Sequence, residues 1–203
     1  MAIIQRMTGQ ERRQAIIDAA IRLFSEKGFR GTTTRELAAA VGVTEPVLYQ
    51  HFETKRELYS AILESRLQYT VEGFEAEMRP LADGEDDVRF FSELARVIVE
   101  WYTKDTSLTR LLLFSGLEGY ELADLFFDRN KDQFFGLVAG YIEKRMKVGV
   151  FREMNPGLAA RAFAGMVGSY GMDTAVFPKA LPPEPPSEVI ATMVDIFLAG
   201  LRR

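Results

Sequence analysis

Residue types able to do covalent or metal chemistry are scarce in this chain. His51 is the only histidine and there is no cysteine, so a histidine-based triad, a thiolate nucleophile and a Cys/His metal site all lack their donors. Carboxylates are plentiful, but their spacing suits solvated helix faces. The stretch that does suggest a chemistry is Thr44-Glu45-Pro46-Val47-Leu48-Tyr49-Gln50-His51-Phe52, and the chemistry is non-covalent. With Leu48 as the buried direction of a helix turning about 100° per residue, Phe52 falls about 40° away, His51 about 60°, and Pro46 and Gln50 about 160°. The outer face is small, rigid and nearly free of charge. Pro46 and Val47 offer apolar contact for thymine methyls, and Gln50 offers the paired donor and acceptor that suit adenine. Tyr49 and His51 at the sides suit phosphate oxygens.

The elements that position these residues are legible from caps. Thr8 and Glu11, Thr33 and Glu36, and Thr54 and Glu57 each have capping-box spacing and predict helix starts. The first helix is expected over about 9–27, with Gly28 as a left-handed stop. Leu37, Ala38 and Val41 form the inner face of a short second helix, and Val41-Gly42-Val43 breaks it. Thr44 caps a third helix, and Pro46 is tolerable in its first turn. Two short helices joined by a glycine turn form a helix-turn-helix. Thr33, Thr34 and Arg35 sit in or beside the first turn of helix 2, and Lys55 in that of helix 4. There, free amides and the helix dipole favour an anion such as phosphate. Thr44 joins them as a candidate DNA contact.

Charge is distributed to match. The chain has a net charge of −4, yet residues 1–66 hold 10 Lys and Arg against 8 Asp and Glu, and the remainder 15 against 21. A mildly basic head on an acidic body suits a polyanionic partner at one end only. No apolar run reaches the roughly 18 residues needed to span a bilayer, and the N-terminal apolar patch is too short for a secretory signal. A cytoplasmic protein without a membrane partner is expected.

The run GFRGTTTRELAAAVGVTEPVLYQHFETKRELY resembles the DNA-binding domain of the tetracycline-repressor (TetR) family of bacterial regulators. The likeness lies in the Gly-aromatic pair, the paired threonines, the Gly-Val-Thr turn, Leu-Tyr-x-His-Phe and the lysine at helix 4, over about residues 9–66. The sequence departs at Pro46, where family members often carry Gly or Ala, so base preference does not carry over. The resemblance implies an all-α protomer of about nine helices. Residues 1–54 would form a three-helix head, and residues 55–203 a regulatory ligand-binding and dimerisation domain. Helix 4, about 55–78 and ending before Pro80, would link them, and the last two helices would pair with a second copy.

The body's own pattern fits. Glu85-Asp86-Asp87 opens a helix that runs through Trp101 and Tyr102. Leu108, Leu111, Leu112 and Ser115 have helical spacing, and a long helix is expected over about 121–148. Asn155-Pro156 caps a small-residue helix containing Gly165, Gly168 and Gly171; these suit close packing, since no strand precedes them to make a dinucleotide loop. Ser187 opens the last helix, whose apolar stripe runs from Val189 to Leu201 and is wider than one small body readily covers. Periodicity leaves this stripe open to packing within the chain or against a second copy; the resemblance favours the copy, with Ala164, Gly168, Val194, Phe197 and Leu201 as the expected dimer contacts. Among the aromatic residues, which include Phe126, Phe127, Phe135 and Tyr170, the expected effector pocket takes Trp101, Phe114, Phe134 and Tyr141 together with Leu111.

The expectation is a homodimeric regulator of a near-palindromic double-stranded DNA operator. It would be most simply a repressor released by a small apolar or aromatic effector, with no catalysis, cofactor or metal. The alternatives are control by a protein partner, and a small-molecule-binding helical protein with a vestigial head.

Overall fold

The computed structural model describes the backbone of residues 7–118 and 121–202; the side chains of 63–72, 121–133 and 180, among them Phe126 and Phe127, lie outside the described residues. Among the described residues every extended element is a helix apart from one short 3-10 turn. The chain divides into two compact units: Met1–Leu67 with Arg110–Phe126, and Gln68–Thr109 with Phe127–Arg203.

The first unit contains α1 (Gly9–Gly31), α2 (Thr34–Ala40), α3 (Glu45–His51), the start of α4 (Lys55–Asp83) and most of α6 (Thr106–Leu117). Thr8 and Thr33 make the expected capping boxes with Glu11 and Glu36, each worth about 0.5–2 kcal/mol. The box at Thr54 is shifted: its hydroxyl accepts the Glu57 amide at 3.0 Å, but the Glu57 carboxylate takes the amide of Glu53, one residue before the cap. α1 does not end at Gly28. That residue has φ 74 and ψ 175 and kinks the helix, which then makes one further turn to Gly31. Gly42, at φ 68, supplies the left-handed turn between α2 and α3, and the amides of Gly42 and Val43 close it onto the carbonyls of Ala39 and Ala38. Ile16, Ala20, Phe24, Leu37, Leu48, Phe52, Leu58 and Ile62 fill the space between these helices.

The second unit packs α5 (Asp87–Lys104) against α8 (Pro156–Val176) and α9 (Pro186–Leu201), with the rest of α4 and most of α7 (Glu121–Lys147). Phe91 of α5, Phe163 of α8 and Phe197 of α9 meet pairwise at 4.8–5.1 Å between ring centroids. Each buried ring contributes on the order of 1.5–3 kcal/mol. Asp86 and Asn155 cap α5 and α8 as their positions suggest. α9 starts at Pro186, one residue before Ser187, without a side-chain cap.

α4 continues to Asp83 through Pro80, past the expected end. Proline removes one amide bond and crowds the preceding turn; so near the C-terminus it disturbs only the last turns. The Lys144 ammonium then gathers the exposed carbonyls of Asp83 and Gly84 at 2.8 and 3.1 Å, which is how a cation serves a helix C-terminus.

A candidate nucleic-acid interface and the packing behind it

α3 presents the face its sequence describes. Leu48 and Phe52 are 2% and 1% exposed, Pro46 and Gln50 are exposed, Tyr49 is 45% exposed, and Val47 and His51 are half-buried. Thr44 has N-cap geometry, but its hydroxyl makes no capping bond. The surface is thus one amide side chain, one phenol and one imidazole around an apolar patch, a composition able to read base edges without repelling phosphates.

The surrounding hydroxyls and ammonium are less free than their positions suggest. Thr33 spends both its amide and its hydroxyl on the Glu36 carboxylate. Thr34 donates its hydroxyl to Glu45 at 2.7 Å, pinning the first turn of α2 to that of α3. Glu36 also accepts from Lys27; that hydrogen bond and those from Thr33 hold its carboxyl down at about 2. Arg35 is exposed, and the first-turn amides of α2 lack intrahelical acceptors by helix geometry. The Lys55 ammonium donates to the Phe29 carbonyl and lies 4.1 Å from the centroid of the Phe29 ring. Burial lowers its pKa from the ordinary lysine value. Lys55 therefore ties α4 to the end of α1, a role its position before a helix did not reveal.

Behind this head, one face of α6 packs on α1 and α4. Arg110 Nε donates to the Ser25 carbonyl at 2.9 Å, and the Tyr59 hydroxyl to the Leu111 carbonyl at 2.9 Å. Burial pushes the Tyr59 hydroxyl up to about 12. Glu118 accepts the amides of Phe29 and Arg30. The segment Arg110–Phe126 belongs to the same compact unit as the head.

The five expected pocket residues are not brought together. Leu111, fully buried, and Phe114, beside Gly28, belong to the first unit. In the second, Tyr141 stacks on Phe90 at 3.9 Å and donates to Asp87 at 2.7 Å, and it also borders a cleft between α4 and α7. Trp101 and Phe134 are half-buried, against Tyr102 and against Phe74 and Phe135 respectively. Helical spacing identified apolar faces correctly but carried no information on what fills the space against them. A cleft of about 510 Å³ does open between α4 and α7. Its walls mix the charged Glu75, Arg79, Asp83 and Lys144 with Ala82, Leu137 and Tyr141, where a mainly apolar pocket was expected. Asp87 and Arg145 were missed: Arg145 Nε donates to Asp87 at 2.8 Å, with both side chains 9% exposed.

The expected dimer contacts also divide. Val194 and Leu201 are buried within the chain's own core, and Gly168 faces Tyr102. α5 and α8 of the same protomer thus cover most of the α9 stripe that was assigned to a partner. Phe197 is half-buried against Phe91 and Phe163, and Ala164 is half-buried. The large apolar side chains left outside on these two helices are Leu158, 66% exposed, and Ile196, 62% exposed.

Among the described residues there is no group of three possible metal ligands, and no helix is long and apolar enough to cross a membrane.

Known proteins share both halves of this arrangement. The activator FasR of Mycolicibacterium smegmatis is 36% identical over 84 residues, which is 41% of this chain and 38% of FasR. The nucleoid occlusion factor SlmA of Haemophilus influenzae is 31% identical over 142 residues, 66% of this chain and 63% of SlmA. Each of these curated relatives is matched over less than two thirds of its own length. The crystal structure of AibR in complex with isovaleryl coenzyme A and operator DNA superposes with a TM-score of 0.63 at 25% identity, covering 92% of this chain and 97% of that one. The profile of bacterial regulatory proteins of the tetR family matches residues 16–62, and that of the AefR-like transcriptional repressor C-terminal domain matches residues 91–201. A helix-turn-helix with this exposed face and a helical body matched along most of its length place the chain in the TetR family of transcriptional regulators.

Proposed function

We propose that the protein is an effector-responsive regulator acting in the cytoplasm as a homodimer on a near-palindromic operator, which it represses until a small molecule enters the body. The observation that carries this reading is the exposed face of α3, with Pro46, Tyr49 and Gln50 outward around the buried anchors Leu48 and Phe52. The AibR complex pairs a coenzyme A thioester with operator DNA on the same fold. That supports acyl-coenzyme A thioesters as the first effectors to try, an apolar chain with a polar carrier. An effector shifts the equilibrium only by its preference for the non-binding arrangement, and operator must weaken the effector by the same factor.

Selection from a random double-stranded DNA pool tests the reading. The full chain is expected to enrich two inverted half-sites about one helical turn, or a multiple of it, apart. Isovaleryl-coenzyme A and longer homologues are then titrated into the complex, with Trp101 fluorescence as reporter. Enrichment of no sequence would overturn the assignment.

A second reading, in which a protein partner controls the head, is favoured by the filled core around Tyr141 and Phe90 and by the likeness to SlmA, named as a nucleoid occlusion factor. If no thioester displaces DNA while a protein partner does, this reading replaces the first.

A further inference from the structure

The kink at Gly28 creates a local problem whose solution, at Glu118, lies 88 and 89 residues beyond the two amides that follow it. With ψ at 175, Gly28 breaks the run of helical hydrogen bonds, so the next amides lose their acceptors within the helix. Glu118 supplies acceptors from α6: Oε2 is 3.1 Å from the Phe29 amide, and Oε1 is 3.3 Å from the Arg30 amide. The exchange is mutual. A carboxylate at the end of α6 opposes that helix's own dipole, and the Arg30 guanidinium donates to the Glu118 carbonyl at 3.3 Å. Each helix thus caps the other's broken end. Glycine suits the joint because its φ of 74 is one that side chains rarely adopt, and a Cβ there would also lie 3.1 Å from the Phe114 ring and push aside the Glu118 carboxylate at 2.6 Å.

What hangs from this joint is the reading head. The Phe29 carbonyl receives Lys55 of α4. The Gly28 carbonyl receives the buried Thr32 hydroxyl at 2.9 Å, and Thr33 follows as the cap of α2. From Arg110 onward α6 packs with the first unit. We propose that Glu118 is a positioning residue for operator binding, fixing the α1–α2 junction and the start of α4 so that α2 and α3 meet DNA preorganised. Preorganisation raises affinity by removing the cost of ordering the junction at the moment of binding. It leaves the exposed face of α3, and hence the sequence read, untouched.

The inference rests on the DNA-binding reading, and its test separates the two. The full chain first selects its DNA site from a random pool. Glu118→Ala and Gly28→Ala are each expected to bind that site roughly tenfold more weakly, the loss of about one charge-assisted hydrogen bond, with the same selected sequence and the same salt dependence. Glu118→Gln, which keeps one acceptor oxygen, is expected to lie between them and the parent; it also serves if Glu118→Ala fails to fold. Amide hydrogen exchange provides a readout that a purely structural contact would not move. In the parent protein, saturating site DNA slows exchange at Phe29 and Arg30 more than at Ile17 in the middle of α1, and in Glu118→Ala both amides exchange fast with and without DNA. Parent-like affinity in Glu118→Ala, or exchange at Phe29 and Arg30 indifferent to DNA, would overturn the positioning role alone. Failure of the parent to enrich any sequence would overturn both readings.

Discussion

Tyr102 of α5 and Gly171 of α8 form a fitted pair. A Cβ at 171 would lie 2.5 Å from Tyr102 Cδ2 and 3.2 Å from its Cβ, and one at 168 would lie 3.3 Å from its hydroxyl. The glycines at 168 and 171 therefore seat an aromatic ring of their own chain. Gly171→Ala is expected to destabilise by about 1–3 kcal/mol through overpacking, and Tyr102→Ala to restore part of the loss when combined with it. A double-mutant cycle by urea unfolding checks this, since strictly additive effects mean that the two residues do not touch.

The pair formed by Asp87 and Arg145 is enclosed, so the two charges depend on each other. Arg145→Met leaves a buried carboxylate without its cation and is expected to cost about 3–5 kcal/mol. Adding Asp87→Asn removes that charge while keeping an acceptor for the Tyr141 hydroxyl, and should recover most of the loss. Melting temperatures of the two single variants and the double variant decide the matter.

On DNA, Gln50 and Lys55 are expected to separate specificity from affinity. Gln50→Ala relaxes preference at one base pair per half-site, by about 1–3 kcal/mol, and leaves the melting temperature unchanged. Lys55→Ala weakens all sequences alike. Because its ammonium is tied to Phe29, it also lowers the stability of the head. Binding selections and thermal melts on the same preparations test both halves; a changed consensus in Lys55→Ala would mean that the roles are assigned to the wrong residues.

Assembly is expected to depend on Ile196 more selectively than on Phe197. Ile196 is outside the fold and Phe197 is packed into it. Ile196→Asp should therefore give folded monomers with weakened operator binding, while Phe197→Asp should disturb the fold itself. Sedimentation equilibrium and circular dichroism distinguish the outcomes, and a dimeric Ile196→Asp protein of native affinity would place the interface elsewhere.

Local signals were legible wherever the structure obeys them locally. The capping pairs Thr8/Glu11 and Thr33/Glu36, the turn at Gly42 and the inward direction of Leu48 and Phe52 all follow from residues within one or two turns. Periodicity also showed which side of α9 is apolar. It could not show that α5 and α8 of the same chain cover that side, because the period of one helix says nothing about its neighbour's identity. The same limit hid the partners of Lys55, Tyr102 and Asp87. Glu118 was the least legible, since an acidic residue at the end of a helix is locally unfavourable and is explained only by amides 88 and 89 residues earlier.

The dependence of the head on α6 has a consequence for the order in which the chain is made. Residues 1–67 leave the ribosome first, yet the acceptors for Phe29 and Arg30 and the carbonyl for Tyr59 lie at Glu118 and Leu111. At roughly 5–20 residues per second, synthesis delivers them several seconds later. Until then α6 is not there to cover the kink or the aromatic cluster of Phe24, Phe29 and Tyr59. The head finishes folding only when the body is already half made. It is thereby completed only by residues synthesised after most of α4 and all of α5.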